Sequence, residues 1–255
     1  EDHNRKEYIL NEERKHILYL THKFSDDLYL CKFAVEQHIT KHEDKEDDIE
    51  RVEDVDFPYI YLIANLKHQI FLFEKKTSVI QKMSTAQNKF KDWIEKEIDE
   101  YNYSFKLEKI IYEKEFWEYV KESDSIYELN LNLNSPNLFG GWIEAEELLE
   151  EITGLFNNTE TDVTLENEEG KLNVEKDNVG GFIEYTSGGG GTWNITVEYE
   201  GERKTFKSKK DKNAKTCDLP ENLEEVSKED LEIQINSAIK NIDTIIEEDN
   251  SKKEK

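Results

Sequence analysis

The sequence predicts an α+β fold: a mixed sheet with packed helices, plus a smaller antiparallel β lobe closed by a C-terminal helix. Three observations predict it. Tyr127, Leu129, Leu131 and Leu133 alternate strictly with Glu128, Asn130 and Asn132, the period of a half-buried strand. Phe90, Trp93, Ile94 and Ile98 recur at helical spacing. Strand-like and helical stretches follow one another as β-β-α-β-α-β through residues 57–137, an order that layers helices on a sheet.

Taken in order, the segments give two lobes. His16 to Thr21 and Leu28 to Val35 read as strands around a turn at Ser25, Asp26 and Asp27. Residues 41–54 are densely acidic without apolar periodicity and read as an exposed loop. Tyr59 to Ala64 and Gln69 to Glu74 form a hairpin, and Ser78 or Ser84 is placed to cap the helix that follows. Tyr103, Phe105, Leu107 and Ile110 return to strand-like alternation, and residues 115–121 form a short helix with Phe116, Trp117 and Val120. Pro136 ends the Tyr127–Leu133 strand, since proline cannot donate to a ladder. Residues 144–156 form a helix that ends an N-terminal lobe, 1–156.

The second lobe, 157–248, starts with a hairpin of 163–166 and 171–175 around Asn167 and Gly170. Phe182 to Tyr185 leads into Gly188 to Gly191, which reads as a flexible hairpin tip. Trp193 to Tyr199 pairs with Lys204 to Lys207. A helix capped by Ser227, with Asp230 three residues on, runs to about Glu247 before a polar tail, 249–255, expected to be disordered.

Composition narrows the function. The net charge of −25 repels bulk nucleic acid and anionic membranes. Two cysteines make no disulfide framework and no apolar run approaches the ~20 residues of a spanning helix, which together predict a cytoplasmic protein. From Trp142 to Glu202 there are 16 acids and two lysines, and then the balance inverts. Arg203, Lys204, Lys207, Lys209 and Lys210 open a basic island that reads as a nucleic-acid or phosphate contact on a hairpin.

Catalytic signatures are weak. The glycine run lacks the Lys-Ser/Thr of a P-loop, and His38 and His42 have no third ligand, so neither a cofactor nor a metal site is expected. Asp56, with Glu74 and Lys76, has the D…E-x-K order of metal-dependent nucleases, where two carboxylates hold Mg²⁺ and the lysine positions water. In a chain that is 36% charged such an order arises by chance. The acidic surface itself leaves a third reading, a DNA-mimic inhibitor.

Tyr59-Ile60-Tyr61 followed by Gln69-Ile70-Phe71-Leu72-Phe73-Glu74-Lys75 resembles the RexA-like phage-exclusion and abortive-infection proteins of bacteria. The terminus Leu133-Asn134-Ser135-Pro136-Asn137 is similar to a strand end of that group, as is the C-terminal order of strand pair, polar loop and helix. The resemblance implies a non-catalytic interaction or sensor subunit of an anti-phage system, working with other protein subunits, oligomeric and DNA-associated. The −25 charge departs from that pattern, so a DNA role here depends on the basic island.

Overall fold

The computed structural model describes residues 5–10, 14–101, 103–135, 143–209 and 214–251. Among them are eleven strands and five α-helices, an α+β fold. Among the described residues every strand pairing is antiparallel, which replaces the expected mixed sheet, and the one parallel contact is an isolated bridge, Ile126 to Lys171. The chain divides into two compact units, Glu1–Phe105 with Glu221–Ile235, and Lys106–Pro220 with Asn236–Lys255.

In the first unit, β1 (Arg5–Leu10), β2 (Arg14–Lys23), β3 (Leu28–Val35), β6 (Tyr59–Asn65) and β7 (Ile70–Phe73) form a sheet in that spatial order. Both faces are apolar because both are covered. Phe33 faces α1 (Met83–Ile98), stacking on Trp93 at 6.3 Å and meeting Phe90 edge-on. Phe71 and Phe73 also meet Phe90, so one helical phenylalanine collects three rings from two strands, β3 and β7. Neither Ser78 nor Ser84 caps α1; the cap position is Lys82, without a side-chain bond. Lys32 points to the opposite face and pairs with Glu224. This brings residues 221–235 to that face, where Leu223, Leu231 and Ile235 are buried.

Residues 41–54 are not a loop. They belong to a two-stranded ribbon, β4 (Gln37–Lys45) and β5 (Asp48–Asp56), paired in continuous register from Gln37–Asp56 to Lys45–Asp48. At about 3.4 Å per residue it is about 30 Å long, and none of its residues is buried.

In the second unit, β8 (Ser125–Asn134), β9 (Glu160–Glu166), β10 (Gly191–Tyr199) and β11 (Glu202–Lys207) form a sheet in the order β11-β10-β8-β9. This sheet spans position 156. Its inner face stacks Leu129, Leu131 and Leu133 beside Trp193, Ile195 and Val197. Phe116 of α2 (Glu113–Glu122), Leu149 of α3 (Ile143–Phe156) and Ile183 of α4 (Lys176–Tyr185) close over it.

Four expectations change here. Residues 103–110 are irregular, tied down by one bridge from Ile111 to Ala214. Residues 171–175 do not pair with β9, whose partner is β8; Leu172 and Val174 instead join the core. The segment leading to the glycines is helix α4, held at its start by a reciprocal cap between Glu175 and Asn178. The glycine run is no flexible tip: it makes a wide helical turn, Thr186–Gly190, that packs directly into β10. The Ser227 cap is found as expected: its hydroxyl accepts the Asp230 N–H at 3.1 Å, opening α5 (Lys228–Ser251). Pro136 and Asn137, and residues 252–255 of the expected tail, lie outside the described residues.

Candidate interaction surfaces

The basic island starts on β11, an edge strand whose sequence alternates between two faces. The turn before it, Glu200 and Gly201, has positive φ at both residues (54° and 73°), the two-residue turn that suits the twist of a hairpin. That turn decides the fate of the first two cations. Lys204 pairs with Glu200 at 2.8 Å and Glu202 at 3.7 Å, and the Glu200 bond raises its pKa above the ordinary lysine value. Arg203 lies on the outer face with its guanidinium 4.2 Å from the centre of the Tyr127 ring, while the Tyr127 hydroxyl donates to Glu198 at 3.3 Å. Lys204 thus serves the acidic end of its own hairpin, and Arg203 rests on a ring of β8.

The other end differs. Ser208 is buried and bonded twice to Trp193, its N–H donating to the Trp193 carbonyl and its hydroxyl accepting the Trp193 N–H, each at 3.0 Å. This fixes Lys209 as it leaves the sheet. Lys109, a hundred residues earlier, donates from Nζ to the Lys209 carbonyl at 3.0 Å. Beyond it, Lys215 donates its N–H to the Ile110 carbonyl at 2.7 Å. The Lys215 and Lys114 ammonium groups lie 5.9 and 5.3 Å from the centre of one ring, Tyr112. Lys109, Lys114, Lys209 and Lys215 thus make one cationic group, with Lys207 exposed at the end of β11. Lys210 lies outside the described residues. The sequence hid Lys109 and Lys114 because they sit among Glu108, Glu113 and Glu115, and it is the backbone bonding of residues 110–111 to 214–215 that brings them to the island.

The outer face of the same sheet is a polar ladder. Asn130 donates to Thr164 and Asn132 to Asp162, each at 2.8 Å, and Thr196 shares a 3.0 Å bond with Thr205. These cross-strand bonds explain why asparagine alternates with leucine along β8.

The nuclease-like residues have local partners. The Glu74 carboxylate accepts the Tyr61 N–H and Asp56 accepts the Phe57 N–H, both at 2.9 Å, while Lys76 lies 5.2 Å from the Tyr59 ring centre. Among the described residues no three His, Cys, Asp or Glu side chains converge to hold a metal ion. His38 and His42 are exposed on β4. Of the thiols, Cys31 is buried, and burial pushes its pKa up to about 11. Among the described residues no helix is long and apolar enough to cross a membrane.

The second surface is the β4–β5 ribbon. Lys41 pairs diagonally across it with Asp54, and that ammonium, helped by the Val55 N–H, holds the Asp54 carboxyl below its usual range. Glu43, which Lys45 of the same strand reaches at 2.6 Å, lies directly opposite Glu50, and like charges set opposite each other disfavour the ribbon.

Comparison of the chain with protein-family models, with curated proteins and with solved structures found no match.

Proposed function

We propose that the protein is a non-catalytic interaction or sensor subunit of a bacterial anti-phage system of the abortive-infection type, acting through protein partners and through nucleic acid. The observation that carries this reading is the β4–β5 ribbon. An isolated two-stranded ribbon is marginal in water, and this one has no buried residue and sets Glu43 opposite Glu50. Such an element costs stability where it stands, which a binding role offsets. The resemblance to RexA-like proteins supplies the biological setting: its two words, around Tyr59–Tyr61 and Gln69–Lys75, fall on the paired strands β6 and β7. For nucleic acid, the reading takes Lys109, Lys114, Lys209 and Lys215, gathered from two separate stretches of chain, together with the exposed Lys207 and Arg203.

The test is a phage challenge of bacteria carrying the gene with its native neighbours, comparing the full chain with a variant in which residues 41–52 are replaced by a two-residue turn. The reading expects protection by the full chain and its loss in the variant, with both proteins folded by circular dichroism. Absence of protection against a broad phage panel, with the full protein expressed and soluble, overturns it. A Lys109→Glu/Lys209→Glu variant then separates the nucleic-acid contact from the protein contact: oligonucleotide binding is expected to fall and its salt dependence to flatten.

A further inference from the structure

Helix α3 has two unlike sides. Ala145 and Leu149 are buried in the core of the second unit, 4% and 1% exposed. Next to them on the helix surface, Leu148, Ile152 and Leu155 recur at i, i+4 and i+7, the spacing of a helix-recognition ridge. Leu148 is 45% exposed and Leu155 77%, and Phe156, closing the helix, is 74% exposed. A β-carbon built on Gly154 meets nothing within 4 Å, so the open ground extends past the leucines. In a chain with 36% hydrophobic residues and this much charge, two leucines and a phenylalanine left together in water need a reason.

The charge around the ridge chooses what covers it. Glu147 and Glu151 are exposed beside it, and the sequence of α3 contains no lysine or arginine. A second copy is a poor occupant: a two-fold contact places the same patch against itself and brings these carboxylates face to face. A lipid surface carrying negative charge is opposed for the same reason. What complements an apolar ridge rimmed by carboxylates is a ridge of leucine-like side chains rimmed by cations.

We propose that α3 is the docking face for a basic amphipathic helix of a partner protein, with Leu148, Ile152 and Leu155 as its apolar contact and Glu147 and Glu151 as its charged rim. This deepens the reading of the chain as an interaction subunit and rests on it. The partner helix lies alongside α3, its apolar anchors interdigitating with the ridge.

The probe is an 18-residue helical peptide of leucine and lysine with leucines at i, i+4 and i+7, compared with a peptide of the same composition in scrambled order. Binding to the full-length protein is read by fluorescence anisotropy. The ordered peptide is expected to bind about tenfold more tightly, and L148S/L155S to abolish that difference without moving the denaturation midpoint. E147K/E151K is expected to weaken both peptides. If L148S/L155S loses structure, the gentler Leu155→Gln serves, with a smaller loss expected. Equal affinity of the two peptides, a difference that persists in the leucine variants, or a dimer in sedimentation that those variants dissolve each overturns the proposal. The phage challenge is independent of it: protection retained by L148S/L155S removes the docking face and leaves the subunit reading standing, whereas no protection by the full chain removes the subunit reading itself.

Discussion

A side chain at position 191 has nowhere to go. A β-carbon built on Gly191 falls 2.2 Å from the Asn132 carbonyl oxygen, which is paired backbone of β8 and cannot step aside. Gly191→Ala should therefore lower stability by at least the ~1–3 kcal/mol of an overpacked core, seen as a lower urea midpoint at an unchanged slope. Gly154→Ala is the control, since it adds a methyl into open space within a helix and should raise stability by up to ~1 kcal/mol. A larger loss at 154 than at 191 contradicts the packing described. The thiols give a second residue-scale expectation. A pKa of about 11 leaves Cys31 protonated at neutral pH, and the sheet shields it. In native protein at pH 7.5, iodoacetamide should leave Cys31 unmodified until denaturant is added, as read by mass spectrometry.

Elements were legible where apolar residues set the period and obscure where something else did. The alternation of β8 and the 3.6-residue spacing of α1 are core-facing patterns, so the sequence displays them. The β4–β5 ribbon has no core, and its strands are held by ladder bonds and pairs such as Lys41–Asp54, which leave no apolar trace. Helix α4 contains Gly180 and Gly181, poor helix formers, and forms because Val179, Ile183 and Tyr185 are buried on one side. The candidate surfaces divided in the same way. Lys207 and Lys209 were readable as a charge run, but the part played by Lys109 and Lys114 depends on a bridge between residues far apart in sequence. Shortening the ribbon at residues 41–52 should move the thermal midpoint by no more than ~2 °C, because it removes no buried surface. The Lys41–Asp54 contribution runs with pH in a known direction. A depressed carboxyl pKa stabilises above the unfolded value and is lost as pH falls through the folded one. Acidification below about pH 4 should therefore loosen the ribbon first, detectable as faster amide exchange there than in β3.

At the scale of the whole molecule, the first unit is not a contiguous stretch of chain. Its sheet carries Leu30 and Ile63 on the face to which Lys32 and Glu224 bring residues 221–235, and both are almost fully buried. A fragment of residues 1–105 should therefore expose that face, bind a hydrophobic dye and unfold without a cooperative transition. Covalent addition of residues 221–235 through a flexible linker should restore cooperativity. A fragment 1–105 that melts sharply by itself contradicts the role given to Leu223, Leu231 and Ile235.

The discontinuous first unit also sets a timetable for synthesis. Its five sheet strands leave the ribosome early, but the segment that covers their second face begins at Glu221. At ~5–20 residues per second, the nascent sheet waits several seconds or more with apolar side chains uncovered while the rest of the chain is translated. During that interval the charge-dense ribbon is already made, and its carboxylates disfavour close approach of neighbouring nascent copies.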